Sequence, residues 1–132
     1  MISTADIEAA ASRIAPHVRR TPLWSLRSGE LGLPGPAFEV WLKLEQLQVS
    51  GSFKARGMFN RLLANDIPTA GVIAASGGNA GIATATAARA LGVPAEIFVP
   101  TVISPAKRER LQKLGATVVA TASWTQWAAA RQ

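Results

Sequence analysis

The chain has 132 residues, of which 48% are hydrophobic and 17% charged, a size and balance that suit one ordinary globular domain and exclude a largely disordered chain. Cysteine is absent and His17 is the single histidine, which excludes disulfides, thiolate metal sites, a cysteine nucleophile and a histidine-rich metal centre. The net charge of +6 favours anionic ligands in general, but the basic residues spread from Arg13 to Arg131 and do not gather into a nucleic-acid face.

The first fifteen residues carry Asp6 and Glu8 and lack the basic start and apolar centre of a secretion signal. No stretch has the apolar length that spans a bilayer, so a cytoplasmic protein without membrane contact is expected. Ser3 or Thr4 can cap a first helix with Asp6 and Glu8 in its opening turn, Ile7 and Ile14 on its apolar side and Pro16 limiting its length. His17 then reads as a helix-end residue. Thr21-Pro22 is an extended entry to a short strand at residues 23–25, followed by a Gly/Pro-rich loop over 29–36.

Over residues 38–45, Phe38, Val40, Leu42 and Leu44 alternate with Glu39, Trp41, Lys43 and Glu45, the period of a strand with one buried side. A helix is expected over 53–64, with Met58 and Leu62 on one face. From Gly71 onward the pattern becomes regular. Apolar runs at 72–75, 95–99 and 117–120 read as strands covered on both faces. Helix-length segments at 79–91 and 105–114 separate them, the second with Ser104 as cap, Pro105 at the first position and Gly115 past the end. Such alternation builds a parallel α/β sheet with right-handed crossovers. Lys107, Arg108, Arg110 and Lys113 on the second helix read as a solvated face. Residues 123–132 look helical, with Trp124 and Trp127 three apart on a face that calls for a partner.

Two turns carry candidate chemistry. Residues 43–57, KLEQLQVSGSFKARG, deliver a strand to a glycine turn and put Lys54 at the start of the next helix. A helix N-terminus disfavours a cation, which helps turn the ammonium into a nucleophilic amine able to form a Schiff base. Phe53 beside it offers a flat apolar surface to a planar ring. On these grounds alone an ordinary surface lysine is the stronger reading of Lys54. The second turn, Ala75-Ser76-Gly77-Gly78-Asn79-Ala80-Gly81, joins an apolar strand to an alanine-rich helix. Gly-rich turns of this kind expose backbone N–H groups to anions, and by itself this one could bind a nucleotide or be a tight connection.

Together the motifs are more specific. Lys-Leu-Glu followed by Ser-Gly-Ser-Phe-Lys-x-Arg-Gly, then Ser-x-Gly-Asn-x-Gly, resembles the serine/threonine dehydratase branch of the fold-type II pyridoxal phosphate enzymes. Arg19-Arg20-Thr21-Pro22-Leu23, residues 90–100 and residues 107–119 extend the likeness over nearly the whole chain in order. The resemblance implies a tryptophan-synthase-beta-like fold, a three-layer parallel sheet with flanking helices. It implies pyridoxal 5'-phosphate as cofactor, with Lys54 as the catalytic and cofactor-binding lysine, Phe53 beside the cofactor and Asn79 hydrogen-bonded to its ring oxygen. Ser76, Gly77, Gly78, Asn79 and Ala80 would hold the substrate carboxylate.

Family members are longer, and their phosphate-binding glycine loop lies beyond the residues matched. The expected division is an incomplete N-terminal part of the larger cofactor domain over 1–66 and a largely present substrate-loop domain over 67–132, a truncated version of the fold. The implied activity is conversion of L-threonine or L-serine to a 2-oxo acid and ammonia. Racemizing relatives carry serine where this chain has Gly77, so dehydration is favoured over racemization, and Ala80 replaces a histidine common in the loop. Other readings are a cysteine synthase-like β-replacement enzyme, a non-catalytic remnant or association module completed by another chain or a homo-oligomer, and a small nucleotide-binding α/β domain.

Overall fold

The structure, a computed structural model, describes residues 1–122; the helix expected over 123–132, with Trp124 and Trp127, lies outside the described residues. Helix α1, Thr4–Ile14, begins with a reciprocal cap in which the Asp6 amide donates to Ser3 Oγ at 3.2 Å and the Ser3 amide donates to Asp6 Oδ2 at 2.8 Å. These two bonds answer donors that a helix start leaves open. The Ser3 amide, and then its hydroxyl, hold the Asp6 carboxyl below the usual carboxylate range.

Strands β1, Leu23–Arg27, and β2, Glu39–Lys43, form an antiparallel ribbon with Leu23 opposite Lys43 and Arg27 opposite Glu39. Pairing extends β1 two residues past the expected 23–25. The expected loop starts with a 3-10 turn at Ser28–Leu31, which ends on Gly32. β2 is shorter than 38–45 because the chain turns at Leu44 into a second 3-10 turn, Glu45–Leu47. The single buried side foreseen for this strand is not realised here: Phe38 is 50% and Leu42 38% exposed, while Val40 and Leu44 are half-buried. The reason is local, since β1 and β2 find their main neighbours in each other and in the turn between them.

Helix α2, Lys54–Leu63, buries Ala55, Phe59 and Leu62. The alternating units that follow match the expected parallel α/β architecture. Strands β3, Val72–Ala75, β4, Ala95–Pro100, and β5, Thr117–Thr121, pair in sequence order, all parallel. Helices α3, Asn79–Leu91, and α4, Pro105–Lys113, cross between them. α3 touches β3 and β4 on one side and α2 on the other, so it must be small all round. Its sequence supplies that, and Ile82, Ala83, Ala85, Ala87 and Ala88 are all buried. Along β4, Ala95, Ile97 and Val99 enter this core, Phe98 is buried on the other face, and the neighbouring strands cover its flanks. The cover expected on both faces of all three strands is realised only on this central one, since Ile73 of β3 is 44% exposed and Val118 and Val119 of β5 are half-buried.

One apolar cluster joins Ile14 of α1 and Ala55, Phe59 and Leu62 of α2 to Ile82, Ile97, Val99 and Leu111. The first and second halves of the chain are therefore packed through α2 and α3. His17 follows α1 and lies stacked on Phe59, centroids 5.1 Å apart at 16°, which fixes the exit from α1 against α2. Among the described residues no helix is long and apolar enough to cross a membrane.

Candidate active site

Lys54 is the first residue of α2, and Phe53 stands immediately before it at the cap position with no side-chain capping bond. The Lys54 ammonium lies over the Phe53 ring, 4.7 Å from its centroid, a cation–π contact that places the amine beside an exposed aromatic face. The turn leading to it is held tightly. Gly51 adopts φ +79°, a backbone conformation that favours glycine, and its amide donates to the Gln48 carbonyl at 2.7 Å.

A polar network fastens this turn to the Arg19–Pro22 segment. Arg56 donates through Nε to Glu45 Oε2 at 2.9 Å and through Nη2 to Glu45 Oε1 at 2.7 Å, a two-pronged ion pair. Thr21 Oγ1 adds a third bond to Glu45 Oε1 at 2.6 Å. The Arg56 hydrogen bonds hold the Glu45 carboxyl down at about 2 against the opposing effect of burial, with the Thr21 hydroxyl and the Lys43 charge assisting. The same pairing raises the Arg56 guanidinium. Buried Gln48 accepts from the Arg19 amide at 2.8 Å and donates to the Arg19 carbonyl at 2.9 Å.

Residues two apart on a helix point about 200° apart. Arg56, fastened on one side, therefore sets the angle at which Lys54 is presented on the other. Glu45, Arg56 and Thr21 belong to the motifs that carried the family likeness, but nothing in their spacing told that they bond one another across the chain.

The second turn leaves β3 at Ser76, whose amide continues the ladder by donating to the Phe98 carbonyl at 2.9 Å. Its hydroxyl accepts from the Gly78 amide at 3.2 Å, which tightens the turn. Gly78 is the cap residue of α3 and Asn79 its first residue. No side chain caps this helix start, and among the described residues the Asn79 and Ala80 amides have no acceptor. They are donors of the kind a helix start leaves open to an anion. Gly81 permits the arrangement, for a Cβ there would lie 2.0 Å from the Ser76 carbonyl oxygen and 3.1 Å from Ile97 Cγ2. Gly77 is backed by Pro100 and Ile103, with Pro100 Cδ 3.1 Å from where its Cβ would be.

Both motif turns thus open helices, and the two helices pack on each other. A cavity of about 410 Å³ lies where they meet β3, lined by Met58, Arg61 and Leu62 of α2 and by β3, Ser76, Ala80 and Thr84. Lys54 is not among its lining residues but stands one turn before Met58 on the same side of α2. The structure therefore brings Ser76 and Ala80 to this cavity, puts Asn79 at its helix start, and leaves Gly77 and Gly78 on a second concavity with Pro100, Ile103 and Lys107.

A primary amine, unengaged turn amides and a glycine-dependent close approach form a donor set that fits a planar aldehyde cofactor and a carboxylate-bearing ligand. Ser52 Oγ, buried and without a hydrogen-bond partner among the described residues, adds an unused polar group two residues before Lys54.

A fold of crossed helices on a parallel sheet with a lysine-bearing helix start defines a class, and comparison with known proteins agrees with it. The sequence profile of the pyridoxal-phosphate dependent enzymes matches residues 14–131. The chain belongs to that family, and pyridoxal phosphate is the cofactor that membership implies. It is 39% identical over 121 residues to a catabolic L-threonine dehydratase of Staphylococcus aureus strain USA300, a match over 90% of this chain and 34% of the relative. The chain thus spans about a third of the length of the curated relatives it matches. Among solved structures, a threonine deaminase from T.th. superposes with a TM-score of 0.79 at 40% identity, over 92% of this chain and 38% of that one. Maize serine racemase superposes with a TM-score of 0.78 at 33% identity, over 89% and 35%.

Proposed function

We propose that this chain carries the cofactor lysine and the substrate turn of an ammonia-lyase that converts L-threonine or L-serine to a 2-oxo acid and ammonia. The observation that carries the reading is the pairing of two helix starts: Lys54 opens α2, Asn79 opens α3, and the helices share a cavity lined by Met58, Ser76 and Ala80. Likeness to a threonine dehydratase and a threonine deaminase supports the choice of hydroxy amino acids.

In this reading residues 1–66 form part of the larger, cofactor-side domain and residues 67–132 the smaller domain with the substrate turn. Lys54 would hold the cofactor through its amine, with Phe53 beside it. The bound cofactor supplies a sink for the electron pair left when the substrate's α-proton departs. Asn79 would orient the cofactor, and the turn from Ser76 through Gly77, Gly78 and Asn79 to Ala80 would hold the substrate carboxylate, with the Asn79 and Ala80 amides as its open donors. With substrate bound, Lys54 would take the α-proton as general base and return it to the departing β-hydroxyl, which would leave as water. A further water hydrolysing the resulting unsaturated amine would give ammonia and the 2-oxo acid.

Gly77 supports elimination over racemization. It has no side chain to exchange a proton on the face opposite the lysine, and the tight backing of Pro100 and Ile103 disfavours a larger residue. The test is incubation with pyridoxal phosphate, borohydride reduction and peptide mapping. Label is expected on Lys54 and absent in Lys54→Ala. Label spread over the surface lysines, unchanged by that substitution, would sink the proposal.

A further inference from the structure

We infer that Arg110 of α4 is a positioning residue for the cofactor lysine, holding in place the turn that presents it; this rests on the reading of Lys54 given above. Arg110 Nη2 donates to the Ser50 carbonyl at 3.0 Å across 60 residues of sequence. Among the basic residues of α4 it is singled out by this bond: Lys113 instead pairs with Glu109 at 2.8 Å on an exposed face. The solvated face read from the sequence holds for both, since Lys113 and Arg110 are exposed, and Arg110 adds to it a bond that reaches back to the turn.

Arg110 adds an outside hold to a turn already closed by the Gly51 amide. Gly51, at φ +79°, is the residue of that turn in a left-handed conformation. The Arg110 Nη2 atom lies 3.5 Å from where a Gly51 Cβ would be, so the guanidinium closes over the glycine itself. Ser50 is buried, and its hydroxyl passes the constraint forward by donating to the Ser52 carbonyl at 3.3 Å. Ser52 is 7% exposed and immediately precedes Phe53 and Lys54. The Gln48 and Arg56 bonds to the Arg19–Pro22 segment secure the turn from one direction, and Arg110 secures it from the other.

The second consequence concerns the substrate turn. β4 receives the Ser76 amide at Phe98, and Pro100 and Ile103 lie under Gly77. The segment from Phe98 to Arg110 thus touches both motif turns. Arg110 ties the lysine to the same support on which the substrate turn rests, so the two turns keep a common frame. A guanidinium-to-carbonyl bond has the charge assistance to do this at a partly exposed site.

The test compares Arg110→Gln and Arg110→Lys with Lys113→Gln as a matched loss of charge. Amide hydrogen exchange and the rate of borohydride-trapped labelling of Lys54 by pyridoxal phosphate are read together with the thermal midpoint. In Arg110→Gln, exchange at the hydrogen-bonded amides of Gly51, Ala55 and Arg56 should quicken and labelling should slow, each by about tenfold. The midpoint should move little, Arg110→Lys should recover part of both, and Lys113→Gln should match the unsubstituted chain.

Exchange at Gly51, Ala55 and Arg56 unchanged in Arg110→Gln would overturn the inference. So would a uniform rise in exchange over the whole chain with a lowered midpoint, which would make Arg110 a general stabiliser. No Lys54 labelling in the unsubstituted chain would overturn the functional reading itself and the inference with it. Normal labelling there with unchanged labelling in Arg110→Gln would overturn the inference alone.

Discussion

The β1–β2 ribbon and the central strand of the β3–β4–β5 sheet are both rich in large apolar residues, yet they end in different environments. On β4, Ile97 and Val99 are fully buried between α3 and the neighbouring strands. On the ribbon, Leu23, Trp24, Trp41 and Leu42 remain exposed. The difference lies in connectivity. A parallel crossover has to lay a helix on its own sheet, so strand and cover arrive together in one short stretch of chain. An antiparallel ribbon closed by a short connection brings no cover with it. Alternation along a strand thus tells which face favours burial, whereas burial itself depends on what the next element does.

The largest effect should come from the covered side. Ile97→Ala empties a site with no exposure and touches the position where Gly81 brings α3 onto the strand. A loss of about 2–5 kcal/mol is expected, as for other large-to-small core changes. Chemical denaturation of the 132-residue chain would measure it. A cost under about 1 kcal/mol would mean that α3 collapses freely onto β4, and the contrast between the two regions would lose its basis.

The junction between the regions should respond less, and with a defined pH dependence. Glu45 carries the bonds from Arg56 and Thr21, and its carboxyl titrates near 2 in the fold against an ordinary value of 4.5. A depressed folded value means that the contribution is complete above about 4.5 and disappears as pH falls toward 2. Glu45→Gln should cost about 1–3 kcal/mol at neutral pH. It should also flatten the fall in stability between pH 5 and 2 relative to the unsubstituted chain. An equally steep fall in the variant would assign the acid sensitivity to other carboxylates. Lys54 labelling should slow in the same variant, because the α2 start loses its rotational anchor.

These regions also mark how far the sequence could be read. The parallel unit was legible because each boundary carries a local cause. Ser104, Pro105 and Gly115 bracket α4, seen at Pro105–Lys113 against the expected 105–114. Lys54 and Asn79 fell at the first positions of their helices because glycine turns end where helices begin. What escaped reading was long-range. The Glu45–Arg56–Thr21 clamp spans 24 residues between Thr21 and Glu45, and Arg110 reaches Ser50 over 60; no periodicity encodes either. Gly81 stood in a recognised motif, but its need to lie against the Ser76 carbonyl is a property of packed helices. The face of residues 38–45 was named correctly as apolar and wrongly as buried, since alternation carries no information about the covering layer.

The smallest effect tests that last point directly. Trp24 is 57% exposed on β1 and pairs with Leu42 of β2, so Trp24→Ser removes a large apolar group that this chain leaves largely in water. Exposed positions without special contacts change stability by about 0.5 kcal/mol or less, and the strand pairing beside it is made by backbone groups that the substitution leaves intact. The 132-residue chain should therefore unfold within about 0.5 kcal/mol of the unsubstituted one while aggregating less on concentration, because an exposed indole is lost. A destabilisation comparable to that of Ile97→Ala would show that the ribbon is covered in solution, and the two regions would then differ in where their cover comes from, with burial common to both.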